Sequence, residues 1–539
     1  MPASSARESL EYLPTFARFP RALRRFLKRP LTLEVARTIA ADRLACREAN
    51  FLRIIEKSVY GYPASPYRAL LRLAGCELGD LEPLVERDGV DQALKTLREA
   101  GVYVTYDEFR GRLPIVRGGT TIDVTPEDFD NPAARRDFQM TTGGSTGREM
   151  SVHQDLDYIA ATFVPKLLML DAWGVADLPA IHWQHILPGA GLRFVLQRAS
   201  GGLAPEAWYS QQGWFDVKSW LKYDLATIYS LLWLNLLGCR VPIPAITKRS
   251  DAIVVARHVR RVLDERGRCL TYSGISAAVR IALAAAEAGL DLTGTTMRVG
   301  GEPITPAKLA TVNAVGARVI PTYGAVETGP IGIGCPHARA ADHMHLAADS
   351  TALITSPHRL ESGQVVQAFN VTSLVDASPK VLLNYQIDDH GQVEDRRCGC
   401  PLHASGYTTS LHTVRSYSKL LSEGVTFASG DIQRILEEVL PARFGGTVLD
   451  YQLSEEEDRH GISRLQLVIS PRVAIADEQE PIRVLLASLQ ESSARGDVTG
   501  NVWRQAGTLV VVRREPMVTT RGKQPVVHRR RAGGVAVKG

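Results

Sequence analysis

Residues 141–148 form the stretch of the chain whose residue types point most clearly to chemistry. The run reads Thr-Thr-Gly-Gly-Ser-Thr-Gly-Arg, with three glycines, four hydroxyl-bearing side chains and one arginine. Glycines let a backbone fold closely around a phosphate, and backbone N–H and side-chain O–H groups donate to its oxygens. The pattern therefore predicts a loop that binds a nucleotide triphosphate. A plain flexible turn is the alternative, because the Gly-Lys-Ser/Thr ending of the common phosphate-binding loop is absent.

Five more segments follow this loop in a fixed order. They are Arg-Val-Gly-Gly-Glu-Pro-Ile at 298–304, Pro-Thr-Tyr-Gly-Ala-Val-Glu-Thr-Gly at 321–329, Asn-Tyr-Gln-Ile-Asp-Asp at 384–389, Arg-Ser-Tyr-Ser-Lys-Leu-Leu-Ser-Glu-Gly-Val at 415–425, and Pro-Met-Val-Thr-Thr-Arg-Gly-Lys at 516–523. Together the six segments resemble the core motifs of the adenylate-forming superfamily, which includes acyl-coenzyme A ligases, peptide-synthetase adenylation domains and luciferases. The resemblance is strongest to the phenylacetate–coenzyme A ligase branch and spans roughly residues 50–525.

The resemblance implies an AMP-forming acid–thiol ligase. Such an enzyme activates a small-molecule acid with ATP and Mg²⁺, releases pyrophosphate, and passes the acyl group from the acyl-adenylate to a thiol, most simply coenzyme A. Transfer to a carrier protein or to an amine is an alternative. A non-catalytic nucleotide-binding protein with the same fold is another.

The resemblance also assigns roles in the first loop. The hydroxyls that would bind the β- and γ-phosphates belong to Thr141, Thr142, Ser145 and Thr146, and Thr142 is expected to act in catalysis. The glycines that would allow close backbone approach are Gly143, Gly144 and Gly147. Arg148 would supply the cation, since a guanidinium forks well onto phosphate.

Glu327 matches the family's magnesium ligand, and a carboxylate oxygen is the kind of ligand that Mg²⁺ prefers. Tyr323 would lie against the adenine, with Gly324 beside it. Val326 stands where the family usually has threonine, so a hydroxyl contact to the α-phosphate is either lost or supplied by Thr328. The alternative is an ordinary junction between a strand and a turn.

Gly301, Glu302 and Pro303 belong to the segment that would bracket the adenine. Glu302 has an alternative role as the cap of the next helix, because a carboxylate favours a helix N-terminus. Asp389 is the candidate for the ribose hydroxyls, since an ionised carboxylate can accept two hydrogen bonds from a vicinal diol. Asp388 is its neighbour and the alternative candidate.

Lys523 is expected to reach from a C-terminal lid to the carboxylate and the α-phosphate while the adenylate forms. The alternative is a solvated lysine in the tail. Arg415 would contact the ribose or the hinge between the domains. The acidic residue that the family carries just after this arginine is replaced by Tyr417 or Ser418, which makes the second half-reaction less certain from sequence.

Three cysteines and a group of histidines form a separate constellation. Three thiolates and one imidazole make a sound tetrahedral zinc set. Cys335, Cys398 and Cys400 are predicted to bind a structural zinc ion, with His345 preferred over His337 and His343 as the fourth ligand. Free buried thiols are the alternative.

The acid-binding pocket is the least readable part of the sequence. Trp183, His185 and the Pro-Gly-Ala-Gly loop at 188–191 fall where the family lines its acyl site. Trp208, Tyr209 and Trp214 are expected either to add aromatic walls or to be ordinary core residues, because clustered aromatic residues are more often core. An aromatic or hydrophobic acid is the resulting mild preference.

The surrounding elements predict an α/β protein with a large N-terminal adenylation domain and a small α+β C-terminal lid. Residues 1–125 are expected to be its helical N-terminal region, 126–413 its sheet-containing core, and 414–539 the lid. At 539 residues the chain is long enough for two or more domains. A net charge of +5, from 63 basic and 58 acidic residues, is too small to indicate nucleic-acid binding.

The location is predicted from two further features. The first thirty residues lack a continuous apolar core, so no secretory signal is expected. The seven cysteines are scattered, which favours a reducing cytoplasm over a disulfide framework. The apolar run at 228–239 is too short to span a bilayer and is expected to form a buried helix.

Overall fold

The computed structural model describes residues 13–141, 150–214, 220–360, 365–417, 429–457, 463–492, 509–519 and 522–530. Most of the predicted phosphate loop lies outside these residues, namely Thr142, Gly143, Gly144, Ser145, Thr146, Gly147 and Arg148. Thr141 is described: it is buried, and its backbone N–H donates to the Pro188 carbonyl at 3.3 Å.

The N-terminal region is mainly helical, as its apolar spacing predicts. Its helices are α1 (Leu13–Leu27), α2 (Leu33–Ala45), α3 (Arg47–Ile55) continued by a π-turn (Glu56–Tyr60), α4 (Pro66–Leu73), α5 (Leu78–Glu99) and α6 (Tyr106–Phe109). Its short strands are β1 (Val104–Thr105), β2 (Ile115–Arg117) and β3 (Thr120–Ile122), and a 3₁₀ turn follows at Pro126–Phe129. A two-stranded ribbon, β4 (Phe138–Thr141) and β5 (Ser151–Gln154), flanks the predicted phosphate loop.

A sheet of 13 strands dominates the described part of the chain. Its parallel half contains β6 (Ala180–Trp183), β7 (Ala207–Ser210), β8 (Ala245–Ile246), β9 (Cys269–Gly274), β10 (Thr295–Gly300) and β11 (Arg318–Ala325). The central strands β9 and β10 are buried along nearly their whole length, as expected for parallel strands that are covered on both faces.

Helices connect and cover these parallel strands. They are α7 (Leu156–Ala172), α8 (Gly191–Ser200), α9 (Trp220–Leu236), α10 (Ala252–Arg266) with a 3₁₀ turn before it (Arg249–Asp251), α11 (Ile275–Glu287) and α12 (Pro306–Asn313). Alanine-rich α11 suits a helix that must pack tightly, because alanine has the best helix propensity and the smallest side chain after glycine.

The other half of the sheet is mostly antiparallel. It contains β12 (Gly329–Gly334), β13 (Met344–Leu346), β14 (Thr351–Arg359), β15 (Val365–Ser373), β16 (Tyr385–Asp395) and β17 (Thr409–Ser416). The strand order β14-β15-β16-β17-β13-β12-β11 joins it to the parallel half, and β1 pairs with β16. A one-turn helix, α13 (Pro401–Ala404), follows β16.

A second, four-stranded sheet lies near the C terminus, in the order β20-β19-β18-β21. Its strands are β18 (Tyr451–Glu457), β19 (Ser463–Ile469), β20 (Leu509–Arg513) and β21 (Val527–Arg530). The helical segments beside it are α14 (Ser429–Arg434), a π-turn (Ile435–Val439), α15 (Leu440–Phe444) and α16 (Glu480–Ser492). These segments share one hydrophobic core with the sheet. We call residues 429–530 the small unit.

The α/β fold class is thus confirmed, but the burial of one helix was predicted wrongly. Helix α9 leaves one apolar stripe in solvent, because Leu225, Ile228, Leu232 and Leu236 are each about half exposed or more. The opposite face of this helix, with Leu231 and Leu234, does pack into the core. A nearly continuous apolar run cannot reveal that only one face is covered. Within the described ranges, no helix combines the length and the apolar character needed to cross a membrane.

Candidate active site

A cavity of about 410 Å³ lies where four strands of the parallel half end. Its walls include Trp183 at the end of β6, Gly274 at the end of β9, Gly300 at the end of β10 and Ala325 at the end of β11. The carboxyl ends of parallel strands are the usual place for a ligand in an α/β sheet. The structure brings together here Gly301, Glu302, Pro303, Tyr323, Gly324, Glu327, Asp389 and Lys523, which the sequence had assigned to one site.

Glu327 lies in the turn between β11 and β12 and is 5% exposed. Its Oε1 faces the Arg110 guanidinium, with Nη2 at 3.4 Å. Its Oε2 is buried and accepts no hydrogen bond from the described part of the chain. A buried carboxylate oxygen without a partner is costly, so Oε2 suits a hard cation such as Mg²⁺.

Thr328 does not carry a hydroxyl that is open to a ligand. Its Oγ1 accepts a hydrogen bond from the Ala325 backbone N–H at 3.0 Å and donates to the Gly329 carbonyl at 3.2 Å. The hydroxyl therefore shapes the turn. Gly324 has φ +153°, and a Cβ there would lie 2.1 Å from the Gly329 carbonyl oxygen, which explains why a glycine precedes this turn.

Tyr323 and Asp389 meet across the cavity. The Tyr323 Oη donates to Asp389 Oδ2 at 2.7 Å, and this contact joins β11 to β16. Burial and the neighbouring Asp389 carboxylate raise the pKa of Tyr323 well above its ordinary value, so the phenol keeps its proton. The contact uses only Oδ2 of Asp389, and both Asp389 and Asp388 line the cavity.

Glu302 caps a helix, but a different one from that expected. Its carboxylate accepts hydrogen bonds from the Ser276 hydroxyl at 2.8 Å and the Ser276 backbone N–H at 3.3 Å, in the first turn of α11. The expected target was α12, whose N-cap is Thr305. The same carboxylate accepts a hydrogen bond from the Gln524 backbone N–H at 2.7 Å. Glu302 thus links a helix N-terminus to the C-terminal segment.

Lys523 enters the cavity from the small unit. Gly301 has φ +85°, and a Cβ at that position would lie 3.4 Å from Lys523 Cε. The residue before it, Gly522, approaches the His185 ring so closely that a Cβ would lie 3.0 Å from Nε2. The lysine therefore faces the same space as Glu327.

Arg415 is placed away from this cavity, although its neighbours Val414 and Ser416 line it. Its Nη1 forms an ion pair with Asp342 Oδ2 at 3.1 Å. The Asp342 carboxylate also accepts the Thr413 and Val414 backbone N–H groups at 2.9 Å each. In this arrangement Arg415 secures the start of the connection to the small unit.

The predicted acid pocket is only partly as expected. Trp183 and His185 line the cavity, together with Gly189 and Ala190 of the loop at 188–191. For Trp208, Tyr209 and Trp214 the structure favours the alternative of core residues over aromatic walls, because none of the three lines the cavity. Trp208 packs in the core against Gly191, and Tyr209 contacts His258 on the other side of β7.

Four basic residues of the cavity were missed in the sequence. They are Arg110, Lys166, Arg193 and Arg298. A sequence signal existed for Lys166, because it interrupts the apolar run of α7, Phe163 to Leu170. Arg110 carried no such signal, since it follows a short helix in a charged stretch.

The cysteine and histidine constellation is assembled as predicted. The ligand atoms of Cys335, His345, Cys398 and Cys400 all lie within 4.8 Å of one another. The Cys335 and Cys398 sulfurs are 3.9 Å apart, and His345 Nε2 lies 3.2 Å from the Cys400 sulfur. Ligands of a tetrahedral zinc ion are separated by about 3.5–3.8 Å. His337 and His343 form other contacts, with the Cys398 carbonyl and with Arg396.

Comparisons with known proteins show the fold. No family model matches the chain. Nor does any curated protein match it. Among solved structures, 2-hydroxyisobutyryl-CoA ligase in the postadenylation state, in complex with 2-HIB-AMP, is similar with a TM-score of 0.52 and 12% identity, over 91% of this chain and 90% of that chain. The same ligase with R3-HIB-AMP gives a TM-score of 0.51 and 14% identity, over the same shares.

The chain therefore has the fold of the adenylate-forming enzymes, as its motifs predicted. At these identities the likeness concerns the fold alone, and it does not single out the phenylacetate–coenzyme A ligase branch.

Proposed function

We propose that the protein activates an acid with ATP and passes the acyl group to coenzyme A. In the first step an oxygen of the acid's carboxylate bonds to the α-phosphorus, and the bond from that phosphorus to pyrophosphate breaks. In the second step a thiolate bonds to the acyl carbon, and AMP leaves. The observation that carries this proposal is the meeting of Lys523 and Glu327 in one cavity at the strand ends.

The two residues have complementary tasks. Two anions must approach each other during adenylation, and fixed charges in a buried site stabilise that approach more than they would in water. The Lys523 ammonium group neutralises charge on the carboxylate and the α-phosphate. Glu327 Oε2 would hold Mg²⁺, which, when bound, screens the phosphate oxygens.

Other residues that line the cavity would contact the rest of the nucleotide. Asp389, held by Tyr323, accepts hydrogen bonds from the ribose hydroxyls, and the backbone at Gly300 and Gly301 brackets the adenine beside Tyr323. Residues 141–148 bind the β- and γ-phosphates. Residues 414–539 form the lid that brings Lys523 to the site.

We also propose that Cys335, His345, Cys398 and Cys400 hold a structural zinc ion. Cys335 follows β12, and the two other cysteines follow β16. The ion would therefore hold β12, which begins just after Glu327, next to β16, which contains Asp389. The cluster lies outside the walls of the cavity, so its role is to position nucleotide contacts.

The proposed function is tested by ATP–pyrophosphate exchange with a panel of carboxylic acids, followed by AMP release with and without coenzyme A. At least one acid should start exchange, and coenzyme A should turn exchange into net AMP release. If exchange occurs but the acyl group passes only to a carrier protein or an amine, the acceptor is that molecule and not coenzyme A. Absence of exchange with every acid would contradict the proposal.

A further inference from the structure

Three buried cations stand together on one side of the cavity. Lys166 lies on α7, Arg193 on α8 and Arg298 on β10, and they are 8%, 5% and 7% exposed. All three line the cavity, as does Phe194 between them. We call these three residues the cation cluster.

None of the three forms an ion pair with a carboxylate in the described ranges. The Arg298 guanidinium lies over Phe194, 4.6 Å from the ring centre, and the Lys166 ammonium lies 5.9 Å from the same ring. The partners of Arg193 among the described residues are neutral: its guanidinium donates to the Thr162 hydroxyl at 3.4 Å and hydrogen-bonds the Tyr158 side chain. Aromatic faces replace part of the lost hydration, but they do not neutralise charge.

The acidic walls of the cavity are engaged elsewhere. Glu327 faces Arg110, Asp342 pairs with Arg415, Glu302 binds Ser276 and Gln524, and Asp389 accepts from Tyr323. Asp388 lies beside Asp389 in β16. Among the described residues, the cation cluster therefore has no ion-paired carboxylate.

Burial and mutual repulsion both disfavour the charged forms of the cluster. Burial and the charges of Arg193 and Arg298 lower the pKa of Lys166 well below its ordinary value. Burial, with Arg193 adding to it, lowers the pKa of Arg298 to about 10. Buried charges are normally paired, so three buried cations around one cavity indicate that an anion belongs there.

We propose that the cation cluster binds a second anionic group of the acid substrate. The substrate then carries, besides the carboxyl group that is activated, a further carboxylate or an equivalent phosphonate or sulfonate. A short dicarboxylic acid is the simplest member of this class. The inference rests on the proposed function, and it replaces the preference for an aromatic or hydrophobic acid.

The test compares matched acids on the full-length protein. Butanoate is paired with butanedioate, pentanoate with pentanedioate and hexanoate with hexanedioate, and 3-phosphonopropanoate is added. Each acid is assayed for ATP–pyrophosphate exchange, and separately for its thermal shift of the nucleotide-free protein. In at least one pair the diacid should be favoured by about tenfold or more in exchange efficiency, since hydrogen bonds to charged groups are the strong ones. It should also raise Tm where its partner does not.

Lys166→Met gives a second readout. It should remove the preference for the diacid and should raise Tm of the ligand-free protein, because it removes a buried cation without a partner. Arg318→Met, which removes an exposed arginine from neighbouring β11, is the control and should change neither property. If Lys166→Met does not fold, the thermal shifts of the unmodified protein with each pair of acids still test the inference.

Three results would overturn the inference. One is equal response to the two members of every pair. Another is a thermal shift by inorganic phosphate as large as that by any diacid. The third is loss of ATP binding in Lys166→Met together with an unchanged acid preference, which would place the cluster at the nucleotide. Absence of exchange with every acid, while diacids alone shift Tm, would instead contradict the proposed function and keep the cluster as an anion site.

Discussion

The two carboxylate oxygens of Glu327 have different surroundings: Oε1 faces the Arg110 guanidinium, and Oε2 accepts no hydrogen bond from the described residues. Arg110 is buried beside it, and although burial opposes its charge, the Glu327 carboxylate raises the pKa of Arg110. The arginine therefore stays charged and orients the carboxylate. Oε2 is the carboxylate oxygen that would hold a cation, since Oε1 faces Arg110.

Glu327→Gln tests the metal role. The amide keeps the shape of the side chain but removes the charge, so adenylation should fall by about 100-fold or more. The measurement is the initial rate of pyrophosphate exchange across a magnesium titration. Glu108→Gln is the matched control, because Glu108 is equally buried but pairs with Arg117 outside the cavity. Near-normal exchange in Glu327→Gln would exclude the assignment.

Lys523→Ala tests the cation that the small unit supplies. Loss of one such donor should slow the first half-reaction by about 10²–10³-fold. Thioester formation from a synthetic acyl-adenylate should stay within about threefold, because the small unit is proposed to supply this cation only while the adenylate forms. Arg514→Ala, a cation of the small unit outside the cavity walls, should leave both steps unchanged. Equal losses in both steps would contradict the role.

At the scale of elements, β12 and β16 each connect a residue that we propose to contact the nucleotide with the cysteines of the proposed zinc site. Glu327 precedes β12 and Cys335 follows it, while Asp389 lies in β16 and Cys398 and Cys400 follow it. His345 comes from β13, which pairs with β12. The cluster therefore ties together neighbouring segments of the antiparallel half of the sheet.

The zinc proposal predicts a metal content and a stability change. Protein purified without chelator should contain about one zinc per chain by elemental analysis. Cys398→Ser should lose the metal and lower Tm by about 5 °C, because metal binding is linked to folding. Cys239→Ser is the matched control, since Cys239 is also half-buried but lies outside the cluster. Metal-free protein with an unchanged Tm would refute the proposal.

The motif residues were predictable from sequence because six segments, in a fixed order, resemble the core motifs of the adenylate-forming superfamily. Gly301 and Gly324 need unusual backbone angles, and Glu327 must sit in a tight turn. The strand at Val319–Ile320 was equally readable, since short apolar runs between helices indicate parallel strands. The resemblance assigned Gly301, Glu327 and Lys523 to one site, and all three line the cavity.

Features that depend on tertiary packing were not predictable. The exposed stripe of α9 looks in sequence like a buried helix, because hydropathy does not state which face is covered. Trp208 and Tyr209 are adjacent to cavity strands, yet they point away from the cavity. Arg193 and Arg298 are ordinary residues in sequence, and only the fold places them beside Lys166, with no ion-paired carboxylate among the described residues.

At the scale of the whole molecule, a buried ion pair joins the small unit to the large sheet. Lys308, on α12, lies 2.9 Å from Glu437, and both side chains are 2% exposed. The Thr305 hydroxyl also donates to Glu437. A second contact, from Gln524 to Glu302, lies next to Lys523. Both contacts hold the small unit where Lys523 faces Glu327.

Glu437→Gln should loosen this arrangement. It leaves the Lys308 ammonium buried without its counter-charge, and removal of one partner of a buried pair is strongly destabilising. Adenylation should fall by about tenfold, whereas thioester formation from a synthetic acyl-adenylate should not fall. Glu438→Gln changes an exposed neighbour and serves as the control. An unchanged adenylation rate in Glu437→Gln would show that the ion pair does not hold the small unit in place.

The central claim is that an acid's oxygen bonds to the α-phosphorus of ATP. It is tested most directly with an acid substrate labelled with ¹⁸O in its carboxylate, by mass spectrometry of the AMP formed when coenzyme A is added. One labelled oxygen should appear in AMP, because the oxygen that bridges the acyl group and the phosphorus stays with the phosphorus when the thiolate attacks the acyl carbon. AMP without the label, or label in inorganic phosphate, would contradict an acyl-adenylate route.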